Sequence, residues 1–362
     1  MQAFLTVDPA RPESEIWQAT ARHRFRPQTH LREVPMSRSV RLHEFGGPDV
    51  LKIEDVVVPD PGFQEVRLRV KAIGLNRSEV LTRSGKSAIK PTLPAQLGLE
   101  AAGVIEAVGS GVEGFVVGDR VAVIPADLTR AYYGEVALAP ARTLVKIPHD
   151  QDWQEAAATW MAFGTAWAGL ISIGRLTAGQ TVLITAASSS TGLCAIQIAR
   201  KVGAIPVALT RTSAKAATLL DAGAAHVIAT EEQDLAHEVA QITGGKGADL
   251  VFDAVGGPNF EKLANATAIG GLLLVYGRLS PDVTPLPVAQ TLWKNLTIRG
   301  FGFPSAIAHD DNLAALKQFV NEGLASGALR PIIAKTFQFD DIVAAHRYLE
   351  GGTQFGKVVV TV

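Results

Sequence analysis

The run Thr181-Val-Leu-Ile-Thr-Ala-Ala-Ser-Ser-Ser-Thr-Gly192-Leu-Cys-Ala-Ile-Gln-Ile-Ala199 constrains this chain more than any other stretch. It reads as a short β-branched strand, a tight turn of small residues and then a helix. Such a turn lets backbone N–H groups approach a phosphate closely. The helix behind it, expected to start near Thr191, adds free N–H groups and the positive end of its dipole. Small side chains are needed there, because a bulky Cβ branch would block the approach. This is the opening strand–turn–helix of a dinucleotide-binding fold. The three-glycine pattern of such turns appears as Ala187-Ser188-Ser189-Ser190-Thr191-Gly192, with only the last glycine kept. An ordinary strand-to-helix turn that binds nothing has the same local signature, so the surroundings must decide.

Those surroundings alternate strand and helix. A second strand fits Ile205-Pro-Val-Ala-Leu-Thr210, followed by a helical run around residues 213–220, with Gly223 suited to its end. Next come the strand His226-Val-Ile-Ala229, a helix near residues 232–243 and the apolar strand Asp249-Leu-Val-Phe-Asp253. A helix from about Asn259 leads to Gly271-Leu-Leu-Leu-Val-Tyr276, and a last short strand fits Leu296-Thr-Ile-Arg299. Alternation of this kind predicts right-handed crossovers and a doubly wound parallel sheet of order 3-2-1-4-5-6, with ligand at the carboxyl ends of its strands.

The chain before this unit reads differently. Val66-Arg-Leu-Arg-Val-Lys-Ala-Ile alternates apolar and charged residues, as a half-exposed antiparallel strand does. Glycines and prolines punctuate short strands from about Val40 to Pro148. The tail, Gln354-Phe-Gly-Lys-Val-Val-Val-Thr-Val362, is a strand with no helix after it. Two domains are expected: a mainly β domain from residues 36–160 and 303–362, and a cofactor-binding Rossmann domain over 161–302. Residues 1–35 stand apart as an extension. A translation start at Met36 fits this pattern; an extra helix over residues 13–23 is the alternative.

Composition narrows the function. With 34 basic and 35 acidic side chains the net charge is −1, and no basic face marks a nucleic-acid partner. No apolar run approaches a membrane span. A single cysteine, Cys194, excludes an internal disulfide framework and fits a reducing, cytoplasmic setting. It lies on an apolar helix face and reads as a small core residue. The second strand ends Ala208-Leu-Thr-Arg-Thr-Ser213 without an acid, and Lys215 follows. NAD-specific sites place an acidic residue there. Arg211 and Lys215, with hydroxyls from Thr210, Thr212 and Ser213, suit a 2′-phosphate instead, which points to NADPH.

Taken together, the chain resembles the medium-chain dehydrogenase/reductase superfamily, and within it the zinc-free quinone oxidoreductase (zeta-crystallin-like) branch. The similarity runs from about Val40 to Val362. Its landmarks are His43-Glu-Phe-Gly-Gly-Pro-Asp-Val-Leu51, Gly98-Leu-Glu-Ala-Ala-Gly-Val-Ile105, Val117-Gly-Asp-Arg-Val121, Asp253-Ala-Val-Gly-Gly257 and Gly356-Lys-Val-Val359. The resemblance implies a GroES-like fold for the β domain and a homodimer joined through the last Rossmann strands. It sets the catalytic zinc ligands of related alcohol dehydrogenases on Asn76, Leu99 and Met161, none of which suits zinc. The structural zinc lobe needs four cysteines, which this chain lacks. Glu100 survives beside Leu99 and is expected to bond backbone or a basic side chain.

The resemblance also implies roles. Ser188, Ser189, Ser190, Thr191 and Gly192 line the pyrophosphate. Gly256, Tyr276 and Gly277 sit beside the ribose and nicotinamide, Phe301 approaches from the acceptor side, and Thr165 lies by the nicotinamide. Asn76 is the candidate donor to the ribose or to the acceptor's oxygen. Leu81, where many of these reductases carry a tyrosine, forms the pocket with Trp160 and Met161. Tyr132 and Tyr133 read as packing residues. The implied chemistry is hydride delivery from NADPH to a small, hydrophobic, conjugated acceptor such as a quinone, enone or enal. An enoyl-thioester reductase, a zinc-type alcohol dehydrogenase in label only, and a non-enzymatic NADPH-binding protein are the alternatives.

Overall fold

The computed structural model describes residues 36–362, and the expectations for residues 1–35 lie outside it. Six parallel strands form one sheet: Thr181–Ile184, Ile205–Thr210, His226–Ala229, Ala248–Asp253, Thr267–Val275 and Thr297–Gly300. Their spatial order is third, second, first, fourth, fifth, sixth, as the alternation predicts. The order reverses between the first strand, at Val182–Ile184, and the fourth, at Leu250–Phe252. A crevice opens at the carboxyl ends of two such strands, because their following connections leave toward opposite faces. Val182, Leu183 and Ile184 are all buried, as a strand covered on both faces requires.

Element boundaries moved where side chains cap. The third crossover helix starts at Leu235 rather than near residue 232, because Asp234 accepts a hydrogen bond from the His237 N–H at 2.8 Å. It stops at Gly244, whose φ of 61° is left-handed. The fifth strand starts earlier than expected, at Thr267, and its pairing with the fourth shifts register between Ala248 and Leu250.

The remaining strands build two sheets, antiparallel except where Ile333–Gln338 runs parallel to the tail strand. The longest strand, Glu65–Gly74, points Val66, Leu68, Val70 and Ala72 inward. It pairs antiparallel with Glu100–Val108, Val136–Pro140 and the tail strand Lys357–Thr361. The tail therefore closes a sheet begun almost three hundred residues earlier. Met36–Leu42, Leu51–Val57 and Ala95–Gln96 make the smaller sheet. No helix among the described residues is long and apolar enough to cross a membrane.

Candidate active site

The phosphate turn is built from backbone. Ala186, at φ 48°, takes the left-handed bend that the lost glycines usually provide. Helix Ser190–Lys201 begins one residue earlier than expected, with Ser189 as its cap: the Ser189 hydroxyl accepts from the Gly192 N–H at 3.1 Å. The N–H groups of Ser190 and Thr191 then have no carbonyl within the helix to bond. Gly192 must lack a side chain, since a Cβ would lie 2.6 Å from the Ala186 carbonyl oxygen and 2.7 Å from the Ala187 Cα. The turn is tied to the tail strand: Gly356 N–H donates to the Ser188 carbonyl at 3.0 Å. These features fit a dinucleotide's pyrophosphate, which needs close backbone approach and free helix N–H groups.

At the end of the second strand, Arg211 and Thr212 are exposed and Thr210 is half-buried. Lys215 turns back over the phosphate turn. Its Nζ donates to the Ser188 hydroxyl at 3.3 Å and to the Thr353 and Gln354 carbonyls at 3.0 and 3.1 Å. Burial and the nearby Arg211 charge lower its pKa. The fold also brings an acid that the second strand lacks: Glu232 accepts from the Ser213 N–H at 3.1 Å. That carboxylate comes from beyond the third strand, so reading the second strand alone missed it.

Two later strand ends complete the cofactor side. Asp253, fully buried, accepts from Thr185 Oγ1 at 2.7 Å and from the Val255 and Gly256 N–H groups at 3.0 and 2.9 Å. It thereby folds the loop that holds Gly256 at φ 65°. A Cβ on Gly277 would meet the Ala254 carbonyl at 2.6 Å, so both loops stay thin and close. The Tyr276 and Phe301 side chains are half-buried and pack against the core. Tyr276 stacks on Phe252 at 4.0 Å between centroids, and Phe301 lies 6.2 Å from Tyr276. The Tyr276 hydroxyl is buried without a partner among the described residues.

The acceptor side rests on buried charge. Asn76 precedes helix Arg77–Arg83, and its Nδ2 donates to the Gly74 carbonyl at 3.0 Å. Its Oδ1 accepts from Lys357 Nζ at 2.7 Å. Lys357 is ion-paired with Glu100, and both are 1% exposed. The second Glu100 oxygen accepts from the Met161 N–H at 2.7 Å, so Glu100 bonds both backbone and a basic side chain as its sequence context suggested. Burial pushes the Glu100 pKa up, and the Lys357 charge opposes the shift. Thr165 Oγ1 spends its proton on the Met161 carbonyl at 2.7 Å and can offer only lone pairs elsewhere. Leu81 and Met161 are half-buried. Trp160 is corrected: it is packed wholly inside the core of helix Trp160–Trp167, so it backs the pocket wall and does not face it. Arg278 reaches across to the Lys86 carbonyl at 3.0 Å, joining the loop after the fifth strand to the loop after the Asn76 helix.

Behind Asn76 runs a second buried chain that the sequence did not disclose. Glu79 accepts from the Asn76 N–H at 2.6 Å, the Leu99 N–H at 2.7 Å and the Tyr133 hydroxyl at 2.6 Å. Tyr133 in turn lies 3.2 Å from His346 Nε2, and His346 Nδ1 lies 3.0 Å from Arg83. Arginine only donates, so Nδ1 accepts and Nε2 carries the proton toward Tyr133. Arg83 ends the chain on Glu350. Burial raises Glu79 to about 7 despite its donors and lowers His346 to about 3. Tyr132 and Tyr133 are both buried packing residues, and Tyr133 adds the hydroxyl link. Cys194 is a buried core thiol whose pKa burial pushes up. Among the described residues no three His, Cys, Asp or Glu side chains gather to hold a metal.

Comparison with known proteins agrees with this geometry. A family model described as alcohol dehydrogenase GroES-like domain matches residues 62–149, and one described as zinc-binding dehydrogenase matches 190–321. The chain is 33% identical over 329 residues to a quinone oxidoreductase of Lama guanicoe, covering 90% of this chain and 97% of the relative. It is 33% identical to a 2-haloacrylate reductase of a Burkholderia species, covering 88% of this chain and 97% of that one. The crystal structure of Escherichia coli quinone oxidoreductase complexed with NADPH superposes with a TM-score of 0.82 at 29% identity, covering 90% of this chain and 100% of that one. With this fold, this phosphate turn and relatives matched over nearly their whole length, the chain belongs to the medium-chain dehydrogenase/reductase superfamily, in its quinone oxidoreductase branch.

Proposed function

We propose that this chain is an NADPH-dependent reductase that delivers hydride to a conjugated acceptor, a quinone, enone or enal, without zinc. The observation that carries the reading is the donor set around Asn76, with Leu99 and Met161, the three positions that the family resemblance sets on the zinc ligands of related alcohol dehydrogenases and that offer no ligand suited to zinc. The buried Lys357–Glu100 pair joins Asn76 to the Met161 backbone. Bound NADPH would supply the hydride. The chain's own residues hold the cofactor at the phosphate turn, keep an apolar wall at Leu81 and Met161, and set an amide donor at Asn76. A conjugated acceptor suits that equipment, because its negative charge grows on an oxygen that an N–H can meet. Oxidising a simple alcohol needs a base for the hydroxyl proton, and among the described residues no histidine or lysine contacts Asn76, Thr165 or Met161 except Lys357, which is ion-paired with Glu100. Arg211 and Lys215 support NADPH over NADH, with Glu232 and Glu231 as opposing charges close by.

The decisive assay follows NADPH oxidation with quinones, enones, enals and enoyl thioesters. NADP-linked oxidation of primary alcohols faster than reduction of every conjugated acceptor would overturn the reaction class. Elemental analysis after dialysis tests the metal: stoichiometric zinc, or loss of activity to a strong chelator, would overturn zinc independence.

We infer a homodimer for the same protein. The sixth strand, Thr297–Gly300, is the edge of the parallel sheet. Beside it Trp293 is 84% exposed, with Leu292, Val288 and Ile269 also bare. An apolar face next to an unpaired edge suits strand pairing with a second copy. Trp293→Glu should shift the mass measured by light scattering to that of one chain.

A further inference from the structure

Lys357 and Glu100 are the most costly groups in the fold to enclose, since each is 1% exposed and each carries charge. An apolar pair of similar volume commonly stabilises a fold as well or better. Stability alone therefore does not account for them. Their surroundings point elsewhere. Lys357 follows Gly356, whose N–H donates to the Ser188 carbonyl of the phosphate turn at 3.0 Å. Its Nζ lies 2.7 Å from Asn76 Oδ1, while Asn76 Nδ2 uses one proton on the Gly74 carbonyl at 3.0 Å. No other close hydrogen bond takes the second Nδ2 proton among the described residues, although the Asn76 side chain lies near enough to the Glu100 carboxylate to lower its pKa. Asn76 is 8% exposed, and Thr165, also 8% exposed, has its proton committed to Met161.

We propose that Lys357 is a positioning residue: its ammonium orients and polarises the Asn76 amide, so that the second Nδ2 proton meets the oxygen on which charge develops. Glu100 keeps the ammonium in place and fixes the Met161 backbone on the other side of the crevice. A cation on the amide oxygen draws electron density from the nitrogen, and in a dry site that strengthens the N–H as a donor. Lys357 itself is enclosed, with its Nζ bonded to Asn76 and Glu100. The inference rests on the reductase reading for its catalytic consequence, but not for the state of the amide.

The test is a double-mutant cycle on the full chain with NADPH and a reference quinone, using Lys357→Met and Asn76→Ala. Lys357→Met should lower kcat about ten- to hundredfold while the NADPH Kd stays within about threefold. In the Asn76→Ala background the same change should have almost no further effect on kcat, because the residue through which Lys357 acts is gone. Multiplying effects would show that Lys357 works independently and overturn the proposal. Where Lys357→Met leaves an orphaned Glu100 and folds poorly, Lys357→Met/Glu100→Gln removes both charges and should give the same kcat loss. A readout independent of turnover is the Asn76 side-chain amide in the ¹⁵N-labelled protein without cofactor, assigned by its disappearance in Asn76→Ala. In Lys357→Met it should move upfield and exchange faster with solvent. An unchanged amide would overturn the proposal even in an active enzyme. A protein that reduces no conjugated acceptor but shows the amide shift would instead overturn the reductase reading and leave the link between the two residues standing.

Discussion

The phosphate side and the acceptor side of the crevice are built by opposite means. At the phosphate turn the backbone does the binding, and side chains are chosen for what they omit. The pattern tolerates serine, threonine and alanine where glycine is usual, because Ala186 accepts the left-handed bend and only Gly192 is pressed against backbone. At the acceptor side the groups that matter are charged side chains enclosed in the core: Lys357, Glu100 and Glu79. A backbone site depends on small volume and helix geometry, whereas a buried-charge site depends on the identity of each partner. The two sides should therefore fail differently when altered.

The largest effect is expected on the acceptor side. Asn76→Ala should lower kcat roughly a hundredfold, about 3 kcal/mol of transition-state stabilisation, and weaken NADPH binding much less. Steady-state kinetics beside a fluorescence titration of NADPH will separate the two. An intact kcat would mean that solvent or another group meets the developing charge.

Glu79 sharpens the contrast through pH. Its folded-state pKa of about 7 lies above the ordinary 4.5, so between those values the folded chain keeps a proton that the unfolded chain has released. This contribution is present in full below pH 4.5 and is lost as pH rises through 7, to the extent of about 3 kcal/mol. His346, buried neutral, acts in the other direction below its ordinary 6.5. In the parent the two oppose each other between pH 5 and pH 8, so Glu79→Gln, left with the His346 contribution, should gain more stability from pH 5 to pH 8 than the parent does in denaturant melts, and an equal change in both would mean that Glu79 titrates normally.

Next in size is Gly192→Ala. Its new Cβ would press on backbone that cannot swing aside, at 2.6 Å from the Ala186 oxygen. A loss of about 2 kcal/mol in stability is expected, together with weaker binding of NADPH and NADH alike. Wild-type affinity in this variant would show that the turn has slack and that the phosphates bind elsewhere.

The smallest effect belongs to the exposed edge of the cofactor side. Arg211→Ala should weaken NADPH by about 1.5 kcal/mol and leave NADH nearly untouched, since an exposed hydrogen bond to a charged group sits at the low end of its range. Equal loss for both cofactors in calorimetry would make Arg211 structural.

The sequence alone determined what short-range patterning can encode. Strand, turn and helix alternate at residues 181–300 with periods that admit one parallel order, and the structure has that order. It also exposed the place of the phosphate turn, the last obligatory glycine, and the unsuitability of Asn76, Leu99 and Met161 as zinc ligands. Glu100 was legible as a carboxylate needing a partner, but the partner was not. Only the tertiary structure decided that Lys357 meets Asn76 across 281 positions and Glu100 across 257. It alone brought Glu232 to Ser213, stacked Tyr276 on Phe252, and enclosed Trp160 in the core. The reason is physical. A backbone site is specified by conformational preferences of adjacent residues, which the sequence displays directly. A buried charge is specified by the partner that compensates its lost hydration, and that partner is chosen by packing between segments far apart in the chain.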